Sequence, residues 1–144
     1  MIRKATRGDG RMLADMAVKM WDSHDRDELA AEFEETIGDE QAAFFIMYVD
    51  DAPVGFAQCG LRHDYVEGTD SSPVGYLEGV FVEEPWRRRG CARALLAACE
   101  QWAKDMGSSE FASDCELDNA DSLRFHLAMG FEEANRIICF RKTL

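Results

Sequence analysis

Apolar positions recur along the chain at two different periods, and the switch between them marks out the elements. Ile2–Thr6 predicts a short strand. Behind Asp9, a residue suited to cap a helix, Met12, Leu13, Met16, Ala17 and Met20 recur at helical spacing. Leu29, Phe33 and Ile37 share one face of a second helix over Asp25–Ile37, with Gly38 as its stop. Two apolar runs, Ala42–Asp50 and Pro53–Arg62, flank a tight turn at Asp50–Asp51–Ala52 and predict a hairpin. His63–Pro73 is polar and rich in turn formers, hence a loop. Gly75–Val82 is the next strand. The strongest helix is Gly90–Met106, with Leu95, Cys99, Trp102 and Met106 on one stripe and Gly107 behind it. A strand at Glu110–Glu116, a short helix at Ala120–Met129 and a final strand at Asn135–Lys142 complete the chain.

The expected order is therefore β-α-α-β-β-β-α-β-α-β. It predicts an α/β protein built on one mixed sheet. An antiparallel hairpin region is followed by a strand-helix-strand unit, which makes a parallel pair with a right-handed crossover. Helices are expected on both faces. No repeat or linker interrupts residues 1–144, which read as a single domain.

Composition narrows the function. Hydrophobic residues make up 47% and charged residues 31%, a globular balance. The formal net charge of -12 argues against nucleic acid or an anionic membrane as partner, and suits a cationic one. No apolar run approaches the ~20 residues of a membrane span, and the N-terminus lacks a signal-peptide core, so a cytoplasmic protein is expected. The five cysteines are odd in number and form no C-x-x-C pair, which suggests neither a disulfide framework nor a zinc ribbon. Only Cys91, beside arginines, has surroundings that favour a thiolate. His24, His63 and His126 follow no metal-ligand spacing, and no metal is expected.

Against this acidic background, the stretch RRRGCARALL gathers three arginines, Arg87, Arg88 and Arg89, and Gly90 in front of a helix. The first N–H groups of a helix lack internal partners and carry partial positive charge. A glycine admits close backbone approach, and arginines add fork-shaped donors. The segment is an anion cradle suited to a phosphate or pyrophosphate. Its spacing, Arg87-x-x-Gly90-x-Ala92, resembles the Arg/Gln-x-x-Gly-x-Gly/Ala signature of the GCN5-related N-acetyltransferases (GNAT), here preceded by the strand L-E-G-V-F-V. The resemblance implies acetyl-CoA as cosubstrate, its pyrophosphate held by Arg87, Arg88, Arg89, Gly90, Cys91 and Ala92. It further implies that Val80, Phe81 and Val82 pair with the pantetheine arm like an added strand, and a backbone N–H there is the natural donor to an oxyanion. Asn119, Ser122 and the run F-H-L-A-M-G-F are similar to the family's later motif, whose asparagine touches pantetheine. Where the family often has a tyrosine that protonates the departing thiolate, this chain has His126. That histidine either packs and touches CoA or serves as the acid.

Five further blocks, W21-D-S-H24, R62-H-D-Y65, D70-S-S-P-V74, L77-E-G-V-F81 and A112-S-D-C115, resemble one group within the family, the bacterial aminoglycoside 6'-N-acetyltransferases. The resemblance implies acetylation of the 6'-amine of a polycationic antibiotic, and resistance as its consequence. Such a substrate demands carboxylates and flat stacking surfaces. Glu78 and Asp114, each expected inside a strand where a carboxylate is unfavourable without a polar role, are the leading candidates. Asp114 is read as the base and Glu78 as positioning residue, with the roles exchangeable. Trp21, His24 and Tyr65 are expected to bind substrate, with acidic residues from Asp25 to Glu35 at the rim. Asp64 and Asp70 are further loop carboxylates near that region. The apolar final strand suggests a homodimer. Two alternatives stay open: an acetyltransferase for another amine, such as a polyamine or a protein N-terminus, and a non-catalytic acyl-CoA sensor.

Overall fold

One sheet with an apolar layer on each face organises the chain. The computed structural model describes residues 1–144, as β1 (Ile2–Lys4), α1 (Gly10–Ala17), α2 (Arg26–Ile37), β2 (Ala42–Val49), β3 (Ala52–Arg62), β4 (Val74–Val82), α3 (Cys91–Asp105), β5 (Phe111–Ala112) and α4 (Ala120–Ala128). The strands lie in the order β1-β2-β3-β4-β5. All neighbours are antiparallel except β4 and β5, which are parallel across the α3 crossover.

Local chemistry accounts for most boundaries. Asp50 and Asp51 both take left-handed backbone, φ 51° and 63°, the twist that a two-residue hairpin turn needs and aspartate tolerates. Asp25 caps α2, accepting from the Glu28 N–H at 3.4 Å. Asp9 precedes α1 as expected but does not cap it with its side chain. Instead its carboxylate accepts from Arg3, at 2.8 and 3.0 Å, and from the Thr6 N–H at 2.8 Å. Arg3, first through its hydrogen bonds, holds the Asp9 carboxyl below the usual carboxylate range despite the opposing effect of burial.

Alternation in the strands divides the core. Phe44, Ile46, Phe56 and Phe81 pack with Leu13, Met16, Leu29 and Phe33 under α1 and α2. Ala57, Cys59, Leu77 and Val82 pack on the other face with Leu95, Leu96, Cys99 and Trp102 of α3. Phe56 has no solvent exposure, so truncation to alanine costs about 3–5 kcal/mol.

Three expectations fail. The strand expected over Glu110–Glu116 is two residues, Phe111 and Ala112, because its neighbour β4 pulls away beyond them. Asn135–Lys142 forms no strand: it pairs with no neighbour, and Ile137, Ile138 and Phe140 stand 66%, 80% and 90% exposed. Met106, placed on the buried stripe of α3, falls just past the helix and is exposed.

Candidate active site

Both ends of β4 carry chemistry. At its C-terminal end the chain runs through a single turn, Glu84–Trp86, to Gly90 and α3. Gly90 sits at φ 80°, a left-handed conformation that turns the chain into the helix and is costly for any residue with a Cβ. No side chain caps α3, so its leading N–H groups are left for an anion. Arg87 donates from Nε to the Val82 carbonyl at 2.8 Å and lies over Phe81, fastening the turn to β4. Arg89 lies over the Trp86 ring at 5.2 Å. A groove of about 340 Å³ opens here, lined by Val82, Arg88, Cys91, Ala92, Phe125 and Met129 among others. Cations and free N–H groups at one end and apolar walls along the rest fit a pyrophosphate that carries a long, largely apolar arm.

At the other end, β4 and β5 pair only as Gly75 with Phe111 and Tyr76 with Ala112. Ser113 Oγ then donates to the Leu77 carbonyl at 3.2 Å, and the strands part. One edge of β4 from Glu78 onward therefore has no strand beside it. Val80, Phe81 and Val82 lie along that open edge and pair with β3 on the other.

Glu78 is skipped in the β3–β4 register: Gln58 pairs with Gly79 and Cys59 with Leu77. This bulge reverses the side-chain phase, so Leu77 packs toward α3 while Phe81, four residues on, packs toward α1 and α2. Glu78 is freed to face outward. Its carboxylate accepts from Arg62 Nη2 at 3.0 and 3.3 Å. The Arg62 guanidinium also lies over the Tyr76 ring, 3.4 Å from the centroid. The Tyr76 hydroxyl in turn donates to Asp114 Oδ2. Burial, then this bond to Asp114, pushes the Tyr76 phenol well above its ordinary value, so it stays a donor. Partial burial opposes the charge on Arg62, but Glu78 outweighs it and holds the guanidinium above its ordinary value.

The structure thus brings Glu78 and Asp114 into one cluster, for a reason other than the expected one. Both are exposed, and Asp114 lies past the end of β5, so the cost of burying a strand carboxylate does not apply. Tyr76 joins them. Neither Tyr76 nor Arg62 was singled out as a site residue from the sequence; the alternation that puts residues 76 and 78 on one face was the available signal for Tyr76.

Trp21 joins this face. It packs edge-on against Phe33 and Phe56 and covers Gly79, where a Cβ would meet the indole at 2.7 Å. His24 is exposed, its ring 6.3 Å from that of Trp21. Tyr65 is 75% exposed in the loop after β3. Of the acidic residues expected at the rim, Asp25 caps α2 and Asp27 pairs with Arg11 at 3.1 Å. The Asp70 N–H and Ser71 hydroxyl both bind Glu110.

Asn119 caps α4, accepting from the Ser122 N–H at 3.0 Å. His126, half-buried against Phe125 and Phe131, donates from Nδ1 to the Ser122 carbonyl at 2.7 Å, since a carbonyl only accepts. Its Nε2 meets Ser113 Oγ at 2.8 Å, which places the ring at the parting of β4 and β5.

Known proteins share this architecture. Residues 11–131 match the acetyltransferase (GNAT) family. An aminoglycoside N(6')-acetyltransferase type 1 of Stenotrophomonas maltophilia is 42% identical over 144 residues, covering 99% of this chain and 93% of the relative. Another of the same name from Salmonella typhimurium is 44% identical over 124 residues, 86% of each chain. The structure of AAC(6')-Iy in complex with the bisubstrate analog CoA-S-monomethyl-acetylneamine superposes with a TM-score of 0.94 at 39% identity, covering 100% of this chain and 98% of that one. The chain belongs to the GNAT acetyltransferase family.

Proposed function

We propose that this GNAT acetyltransferase transfers the acetyl group of acetyl-CoA to the 6'-amine of an aminoglycoside antibiotic, and so confers resistance. One observation carries the reading beyond its relatives' names: two carboxylates, Glu78 and Asp114, are gathered around one aromatic ring where β4 and β5 part, on the strand that leads to the anion cradle. The polycationic amine is thereby drawn to one end of the open strand edge and the pyrophosphate to the other, and the arm between them carries the thioester to the amine.

Acetyl-CoA, when bound, supplies the activated acetyl group as a thioester. The N–H groups of Arg88–Ala92 and the nearby guanidiniums hold its pyrophosphate in this reading, with Asn119, Ser122 and His126 beside the arm. The open edge at Val80–Val82 supplies strand-like hydrogen bonds and an N–H for the developing oxyanion. At neutral pH the substrate amine carries a proton that must leave before it attacks. Asp114 accepts that proton, directly or through water, using the oxygen that Tyr76 does not bind. Glu78 orients the cation, while Trp21, His24 and Tyr65 wall the sugar rings. His126 keeps both ring nitrogens occupied within the protein, which supports a positioning role.

We further propose a homodimer in the cytoplasm. The exposed Ile137, Ile138, Phe140 and Leu144 form an apolar tail on a chain with no internal partner for it, and the edge beside two-residue β5 is open. All five cysteines are free thiols, which suits a reducing compartment. Sedimentation of the wild-type chain against an Ile138→Asp/Phe140→Asp variant tests the dimer: a wild type that sediments as a monomer overturns it.

The activity is tested by thiol release from acetyl-CoA with kanamycin, tobramycin, spermine and a peptide. Turnover on the two aminoglycosides is expected. Turnover on spermine or peptide alone would leave the family intact and overturn the substrate, and CoA binding without turnover would mark a sensor.

A further inference from the structure

We propose that Arg62 is a resident cation that occupies the ammonium subsite of the acceptor site and is displaced when an aminoglycoside binds. This deepens the function proposed above and rests on it.

The placement of Arg62 carries the inference. A cationic group recognised by a protein asks for a carboxylate to pair with, an aromatic face to lie on, and further negative charge nearby. Arg62 has all three in one place. Its Nη2 reaches both oxygens of Glu78, its Cζ lies 3.4 Å from the Tyr76 centroid, and Tyr76 is itself bound to Asp114. The charges proposed to attract the substrate are thus already partly neutralised from within: two carboxylates face one guanidinium. A polycation cannot pair fully with Glu78 or lie on the Tyr76 ring while Arg62 does so.

Displacement is physically cheap. Arg62 is the last residue of β3, anchored by its pairing with Val74, and its side chain points into the site from beside the loop that follows. The side chain is 43% exposed and that of Glu78 35%, so the pair competes with water at once. Swinging the guanidinium out moves no strand and leaves no buried group unsatisfied. A monocation gains little by replacing Arg62, whereas a substrate with several ammonium groups replaces one charge and adds others. Arg62 therefore selects for polycations over simple amines.

Two measurements test this, one on the unaltered protein. Stacking on Tyr76 shifts the Arg62 side-chain Nε–H resonance by the ring current. Titrating tobramycin should move that resonance toward the value of a free guanidinium, while acetyl-CoA alone leaves it in place. A resonance unmoved by saturating tobramycin overturns the proposal. In steady-state kinetics, Arg62→Gln should lower the KM for tobramycin by about three- to fivefold, with the KM for acetyl-CoA within twofold. Ethylguanidinium should inhibit the variant competitively against tobramycin and the wild type far less. A higher tobramycin KM in Arg62→Gln would make Arg62 a residue that holds Glu78 for the substrate, and overturns the displaced-cation role. If wild-type protein neither binds nor acetylates tobramycin, it is the proposed function that fails instead.

Discussion

The two ends of β4 solve opposite electrostatic problems in different ways. At the Arg87–Ala92 end, positive potential comes from three arginines together with backbone, a left-handed glycine and the uncapped start of a helix, all contiguous in sequence. At the Glu78 end, negative potential comes from side chains on β3, β4 and the segment after β5, joined by a phenol. The contiguous cradle depends first on chain geometry, which aims its N–H groups and its arginines together. A side-chain cluster tolerates backbone adjustment but depends on each member. Substitutions therefore separate the two ends by which substrate they affect.

The largest expected effect is at the side-chain cluster. Asp114→Asn keeps the shape and removes the proposed base, and kcat/KM for tobramycin should fall roughly 10²- to 10⁴-fold in the thiol-release assay, with the KM for acetyl-CoA little changed. Near-normal turnover would move the base elsewhere. Tyr76→Phe deletes only the hydroxyl that donates to Asp114. Losing a hydrogen bond to a charged group predicts about a tenfold fall in kcat, again without effect on acetyl-CoA. At the backbone end, Gly90→Ala forces a Cβ into left-handed conformation with open space around it, so strain alone acts. About a fivefold rise in the KM for acetyl-CoA is expected, with that for tobramycin unmoved. Equal changes in both would break the division between the ends.

The smallest effect is on stability. Because the folded Tyr76 phenol titrates above its ordinary value near 10, its contribution is intact below that pH and is lost as pH rises beyond it. Wild-type protein should lose slightly more thermal stability between pH 9 and 11 than Tyr76→Phe does. Parallel curves would show that the phenol is not held as described.

Legibility in the sequence followed the same division. The cradle was readable because strand, turn, glycine and helix follow one another, and each step is a local preference. Glu78 and Asp114 were picked out for a reason the fold does not support, since neither is buried in a strand. Arg62 was passed over as a site residue because nothing near it in the chain hints at Tyr76 or Glu78. The final strand was expected from composition, yet a strand needs a neighbour, and residues 135–142 pair with none within one chain.

The amino-acid pattern by itself determined the order of helices and strands as far as α4, the hairpin at Asp50–Asp51, the two-faced core and the anion-binding turn. These depend on side-chain periodicity and on backbone preferences that act over a few residues. Only the tertiary structure decided the rest. The bulge that skips Glu78 against β3 sets its orientation, and the early parting of β4 from β5 opens the edge. The meeting of Arg62, Tyr76, Glu78 and Asp114 depends on register between strands, a non-local property that no stretch of the chain encodes alone.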